Sequence, residues 1–207
     1  MGHPTPTDLD LTQEPGALRA FPTEGSIRRL WPVERRLFAA HLLRLGAEDR
    51  LLRFQGYLSD EAIDAYVESL DWFGGVVIAY FVDGEVRAAA HLSWTRGLVR
   101  TGEIGLSVEA PFRRRGVGTA LLRRAMTVAR NRFVSDVGLL CMPENAAMRR
   151  VAAHLGLKWK VASGQAETTA CLRWPDQLSL FDEMVSETQG LVGGALDATA
   201  AGSGRPK

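Results

Sequence analysis

The chain has 207 residues, 46% of them hydrophobic and 24% charged, with a formal net charge of +1. That is enough to close one sizeable core with tails, and too nearly neutral for a general attraction to nucleic acid or to a membrane surface. Cys141 and Cys171 both lie in apolar surroundings, so two reduced thiols are expected rather than a disulfide or a metal site. With no apolar run long enough to span a bilayer and no charged-then-apolar leader, a cytoplasmic protein is expected.

Taken in order, residues 1–25 are rich in Pro, Thr, Asp and Glu without periodicity and read as a flexible N-terminal tail. Residues 26–175 carry the periodic segments of one domain, and residues 176–207 read as a C-terminal helix followed by a disordered Gly/Ala-rich end. Ser26 to Trp31 forms a first strand, and Pro32 opens a helix through Leu37, Phe38, His41, Leu42 and Leu45 that stops at Gly46. Glu48 to Leu58 reads as a linker, unusually rich in arginine and aromatic residues, before a helix from Asp60 to Leu70. Val76 to Val82 and Val86 to Trp94 flank Asp83-Gly84, a two-residue hairpin signal. His41 and His91 each stand alone among apolar neighbours and read as satisfied core or edge histidines.

The stretch from Glu103 to Phe133 is the most informative. Ile104, Leu106 and Val108 alternate with Gly105 and Ser107, the period of a half-buried strand. From Val117 the period becomes helical, through Leu121, Leu122, Ala125, Val128, Ala129 and Phe133. Between the two lie Arg113, Arg114, Arg115, Gly116 and Gly118. Three unmatched cations before a helix N-terminus oppose its dipole at a cost of roughly 1 to 3 kcal/mol. A bound anion on the first-turn amides removes that conflict; a solvated basic turn is the alternative.

Val137 to Met142 reads as a buried strand, and Asn145 begins a helix carrying Met148, Val151, Ala152 and Leu155 inward, closed by Gly156. Leu157 to Val161 and Thr168 to Trp174 are the last two strands, joined by a polar loop from Ser163 to Glu167. Beyond Pro175, the residues Leu178, Phe181, Met184 and Val185 make one apolar stripe that would dock on the domain or on a second copy of the chain, as in a homodimer.

The run Arg113-Arg114-Arg115-Gly116-Val117-Gly118 matches R/Q-x-x-G-x-G/A, and Glu103 to Phe133 resembles the acyl-CoA-binding signature of the GNAT superfamily of N-acetyltransferases. The order of elements is also similar over Ser26 to Trp174. The resemblance implies an α+β fold whose mixed, mostly antiparallel sheet of about seven strands is flanked by helices, with splayed central strands as the cofactor cleft. It implies acetyl-CoA as co-substrate and no metal. The amides from Arg114 to Thr119 would cradle its pyrophosphate, beside Arg113, Arg115, Gly116, Val117 and Gly118, while the backbone of Leu106, Ser107 and Val108 would pair with the pantetheine arm. Asn145 would stand at the cleft by similarity to the family's second signature, or serve as an ordinary N-cap. Seven residues on, where relatives often place a tyrosine acid, stands Ala152.

The acceptor implied is a primary amine, of a protein lysine or a small molecule, with Glu103 matching a position at which relatives place a base. Glu109, near the phosphate end, ranks lower. EDRLLRF and the N-x-x-M run are similar to bacterial GNAT domains that acetylate protein lysines. Two further readings stay open: a non-catalytic acyl-CoA sensor, which the missing tyrosine would suit, and a nucleic-acid face built from the clustered arginines.

Overall fold

The computed structural model describes residues 8–9, 25–97, 99–157, 160–162, 165–172 and, between 175 and 188, residues 175, 177, 179–181, 183–185 and 187–188. In chain order the elements are β1 (Asp8–Leu9), β2 (Ser26–Leu30), α1 (Arg35–Leu43), α2 (Ala47–Phe54), α3 (Asp60–Glu68), β3 (Gly75–Val82), β4 (Glu85–Trp94), β5 (Arg100–Val108), α4 (Val117–Asn131), β6 (Val134–Cys141), α5 (Ala146–Ala153), β7 (Lys160–Ala162) and β8 (Gln165–Leu172). Six strands of five or more residues form the sheet, in the order β8-β6-β5-β4-β3-β2; the short β1 and β7 both pair with β8. Neighbours are antiparallel except β5–β6 and β1–β8. This is the mixed, mostly antiparallel α+β architecture that the resemblance implies.

Successive side chains of a strand enter opposite faces of the sheet, and β3 buries both. Val76, Ile78 and Tyr80 join the cluster under α4, whereas Val77, Ala79 and Phe81 join the cluster under α1 and α3. That explains an apolar run without alternation. The turn after it has Asp83 and Gly84 both at positive φ, 52° and 76°, as a tight hairpin requires. On α4, Leu121, Leu122 and Met126 are fully buried, each contributing roughly 1.5 to 3 kcal/mol relative to exposure.

Several expectations change. Glu48 to Leu58 is no linker over its first half: α2 occupies Ala47–Phe54 although none of its residues is fully buried. It is held by Arg50, which donates to the carbonyls of Leu43 at 2.6 Å and Leu45 at 3.0 Å and pairs with Asp60 at the start of α3. Asp8–Leu9, inside the expected tail, pairs in parallel with Cys171–Leu172. The expected loop from Ser163 to Glu167 shrinks, because Gln165 already belongs to β8. Among the described residues of 177–188, polar groups meet the domain. Asn131 Nδ2 donates to the Ser179 carbonyl at 2.9 Å and to Glu183 at 2.6 Å, while Phe181 and Met184 are exposed. Leu178 and everything after residue 188 lie outside the described residues. No helix among the described residues is long and apolar enough to cross a membrane.

Candidate active site

β5 and β6 pair only from Arg100↔Val134 to Glu103↔Gly138, yet β5 runs on to Val108 and β6 to Cys141. Beyond Glu103 the two parallel strands therefore part, and the β6-facing backbone of residues 104–108 is left without a strand partner. A wedge open at one end results. At that end β5 turns through Ala110–Phe112 and the arginines into α4. Gly116 holds φ +80° as the residue before the helix, a conformation costly for any side chain, and no side chain caps the first turn. A Cβ built on Gly118 would meet Leu106, Val108 and Val151 at ordinary distances of 3.5–3.6 Å, which places this first turn between β5 and α5.

The arginines differ from one another. Arg113 is not unmatched: its guanidinium donates to the Val108 carbonyl at 3.0 Å and pairs with Asp49 of α2 at 2.5 Å. A partner 64 positions earlier is brought there only by folding. Arg114 is exposed and itself at positive φ, and Arg115 lies over the Phe112 ring. Val117 is buried, and Thr119 stands half-buried on the first turn. Asn145 caps α5, its Oδ1 accepting from the Met148 amide at 2.9 Å. Ala152 is fully buried, and Cys141, also in the core, has its thiol pushed up by burial, with Arg149 opposing.

The other face of β5 looks toward α1, α2 and α3, because Glu103, Gly105 and Ser107 alternate with the core residue Ile104. Glu103 is exposed at the last paired position, where the strands begin to part. Gly105 lies under Arg53 of α2: a Cβ there would overlap the guanidinium where it now stands. Arg53 Nη2 donates to the Tyr66 hydroxyl at 3.2 Å, and that oxygen lies 2.9 Å from His91 Nδ1. Burial, then the Arg53 charge, brings the His91 pKa down to about 4. The ring is neutral at pH 7.

Ser107 and Glu109 are drawn into a second network. Ser107 Oγ lies 2.9 Å from His41 Nε2, and His41 Nδ1 lies 3.0 Å from Glu109 Oε1, which also accepts from Arg44 at 3.0 Å. Burial lowers the His41 pKa, with Glu109 opposing. Burial alone would raise the Glu109 carboxyl, but the hydrogen bonds from His41 and Arg44, with the Arg44 charge, hold it below its ordinary value. The carboxylate accepts from Nδ1–H, leaving Nε2 to accept from the serine hydroxyl. This is the connectivity of a nucleophilic triad, but His41 is fully buried and Ser107 nearly so; the chain ties α1 to β5.

His41 and His91 are thus satisfied, as their sequence context implies, though by polar partners rather than by apolar isolation. Sequence reasoning missed Arg53, Tyr66 and Asp49. The one available signal, the arginine-and-aromatic bias of Glu48 to Leu58, bore on Arg53 alone.

The model of the acetyltransferase (GNAT) family matches residues 43–157. This chain belongs to the GNAT family. As a GNAT acetyltransferase it is an acyltransferase of a family whose co-substrate is acetyl-CoA, and the matched residues contain both the wedge and the arginine–glycine turn. No curated protein matches it. Among solved structures, the GNAT domain of PAT from S. lividans is 20% identical, with a TM-score of 0.62, covering 72% of this GNAT chain and 90% of that one. A putative acetyltransferase, yncA, from Salmonella typhimurium, solved with its cofactor acetyl-CoA, is 19% identical with a TM-score of 0.55, covering 74% and 99%. The ribosomal-protein-alanine N-acetyltransferase from Brucella melitensis is 17% identical with a TM-score of 0.53, covering 70% and 99%. These likenesses show the shared fold.

Proposed function

We propose that this domain, residues 26–175, moves the acetyl group of acetyl-CoA to a primary amine by direct attack in a ternary complex. The observation that carries the reading is the parting of β5 and β6 after Glu103↔Gly138, with an uncapped, glycine-led helix start at its open end. The pyrophosphate sits on the amides from Arg114 to Thr119, where helix dipole and arginines favour an anion. The pantetheine arm pairs with the backbone of Leu106, Ser107 and Val108, whose side chains are turned to other partners. Its thiol end then reaches the closed end of the wedge, beside Glu103. Asn145 holds the α5 side of the cleft through its cap.

An ammonium with a pKa near 10.4 must lose its proton before attack, at about 4.6 kcal/mol at pH 7, so a base contributes most at this step. Glu103 takes that proton, directly or through water, and the amine nitrogen then adds to the thioester carbonyl. The C–S bond breaks to release CoA. Its thiolate costs only about 2 kcal/mol relative to the thiol at neutral pH, so the buried Ala152 need not be replaced by an acid. The similarity of EDRLLRF and the N-x-x-M run to bacterial protein-lysine acetyltransferase domains supports a protein lysine as acceptor; a small amine is the other source.

Acetyl-CoA should raise Tm by binding the folded state. Gly118→Asp should abolish that shift while keeping the fold, because its Cβ has room and its carboxylate opposes the phosphates. An equal shift in both proteins removes the assigned cofactor site. Release of CoA on adding lysine peptides or small amines tests the transfer itself.

A further inference from the structure

The guanidinium over Gly105 is placed unlike the arginines around it. Arg44 has Glu109, Arg50 has Asp60 and Arg113 has Asp49, but among the described residues no carboxylate pairs with Arg53. It is half-buried, and Nη2, carrying two of its five N–H donors, bonds the Tyr66 hydroxyl. Gly105 leaves the space it fills, so the cation lies on the backbone of the strand that would carry the thioester. The Arg53 guanidinium also lies over the ring faces of Phe54 at 4.9 Å and Tyr66 at 6.0 Å, contacts that favour a cation without neutralising it.

We infer that Arg53 determines acceptor specificity by binding a carboxylate of the acceptor, so that the preferred substrates are primary amines carrying a carboxylate a few bonds from the nitrogen. The inference rests on the N-acetyl transfer proposed above. Glu103 and Gly105 share one face of β5 two residues apart, about 7 Å. An amine at Glu103 and a carboxylate on Arg53 fit that spacing with only a short chain between them. An ammonium arriving alone would meet the repulsion of Arg53, which already lowers His91 and His41. A carboxylate on the same molecule turns that repulsion into a bidentate, charge-assisted pair. Tyr66 and His91 hold the guanidinium in place from behind, His91 as a neutral ring.

The test compares matched pairs in the full chain, following CoA release. Glycine against glycinamide and glutamate against glutamine α-amide represent free amino acids; peptides whose first residue is Glu or Gln, with a free α-amine, represent protein acceptors. The carboxylate member should be favoured at least tenfold in kcat/KM, chiefly through KM, in the series that supplies the acceptor. In Arg53→Gln the ratio should fall to near one, and Arg53→Lys should keep part of it. Acetyl-CoA must still raise Tm in both variants, which establishes that they are folded. Equal use of both members by the wild type, or the same ratio in Arg53→Gln, overturns the inference and leaves amine acetylation standing. A uniform loss of kcat for both members also overturns it, assigning Arg53 to the developing oxyanion instead. If no amine is acetylated, the transfer reading fails. Calorimetry of N-acetylglutamate against its diamide, in the presence of CoA, then decides separately whether Arg53 binds carboxylates: equal or absent binding overturns that too.

Discussion

At the scale of single residues, Glu103 has the simplest test. It is exposed at the last paired position of β5, away from the amides assigned to the cofactor. Glu103→Gln should keep the acetyl-CoA Tm shift while turnover falls by roughly a hundredfold or more at neutral pH. The deficit should shrink as pH rises toward the acceptor's own pKa, where the free amine needs no base. Steady-state rates from pH 7 to 10 check this. Turnover equal to wild type across that range assigns deprotonation to water. Alternation places Glu103 on the face of Gly105 and Ser107, so its position on β5 was legible from sequence, whereas its assignment as a base came from the family resemblance. Arg53 was not, since its relation to Gly105 depends on how α2 lies across the sheet.

At the scale of elements, α1 is joined to β5 by His41, Ser107 and Glu109. Truncating His41 to Ala leaves a buried hydroxyl and a carboxylate short of one partner each, and opens space besides. A loss of about 2 to 4 kcal/mol is expected in urea unfolding. The double variant His41→Ala/Ser107→Ala should lose less than the sum of its singles, since the two side chains share one hydrogen bond. Strict additivity would show that the 2.9 Å contact contributes nothing. The helices α1, α3, α4 and α5 and the hairpin are visible in sequence because local periodicity and turn chemistry agree with their packing. For α2 the amphipathic spacing of Leu51, Leu52 and Phe54 against Glu48, Asp49, Arg50 and Arg53 is present in the sequence, but the helix buries no residue fully and is held by the contacts of Arg50 to α1 and α3, which local pattern does not show.

For the whole molecule, burial of neutral histidines makes stability depend on pH. The unfolded chain protonates His91 near 6.5 while the folded chain does so only near 4. Between these values acidification adds a proton to the unfolded state alone, so the stabilising effect is complete above pH 6.5 and is lost as pH falls toward 4. The contribution from His91 is at most about 3 kcal/mol, reduced by the water that reaches a half-buried ring. His41, also lowered, acts in the same direction and over the acid side of the same value; Glu109, lowered from 4.5, adds to the loss further into acid. Urea midpoints should therefore drop from pH 7 to pH 4.5, and His91→Gln should flatten the slope by up to one proton. A flat wild-type profile would contradict neutral, buried rings.

The strand-to-helix switch at Val108–Val117, the glycines of the turn, the hairpin and the order of the elements were settled by the sequence alone, because each rests on neighbours within a few positions. Partners far apart in the chain were decided only by tertiary structure. Asp49 comes to Arg113, Glu109 to His41, and Arg53 to the face of Gly105. The parting of β5 from β6 belongs with these, since residues 104–108 and 139–141 look like ordinary strand and it is their register, ending at Glu103↔Gly138, that opens the wedge. Charge and hydrogen-bonding capacity are written in each side chain, but which capacities are already used depends on the fold that brings their partners within about 3 Å.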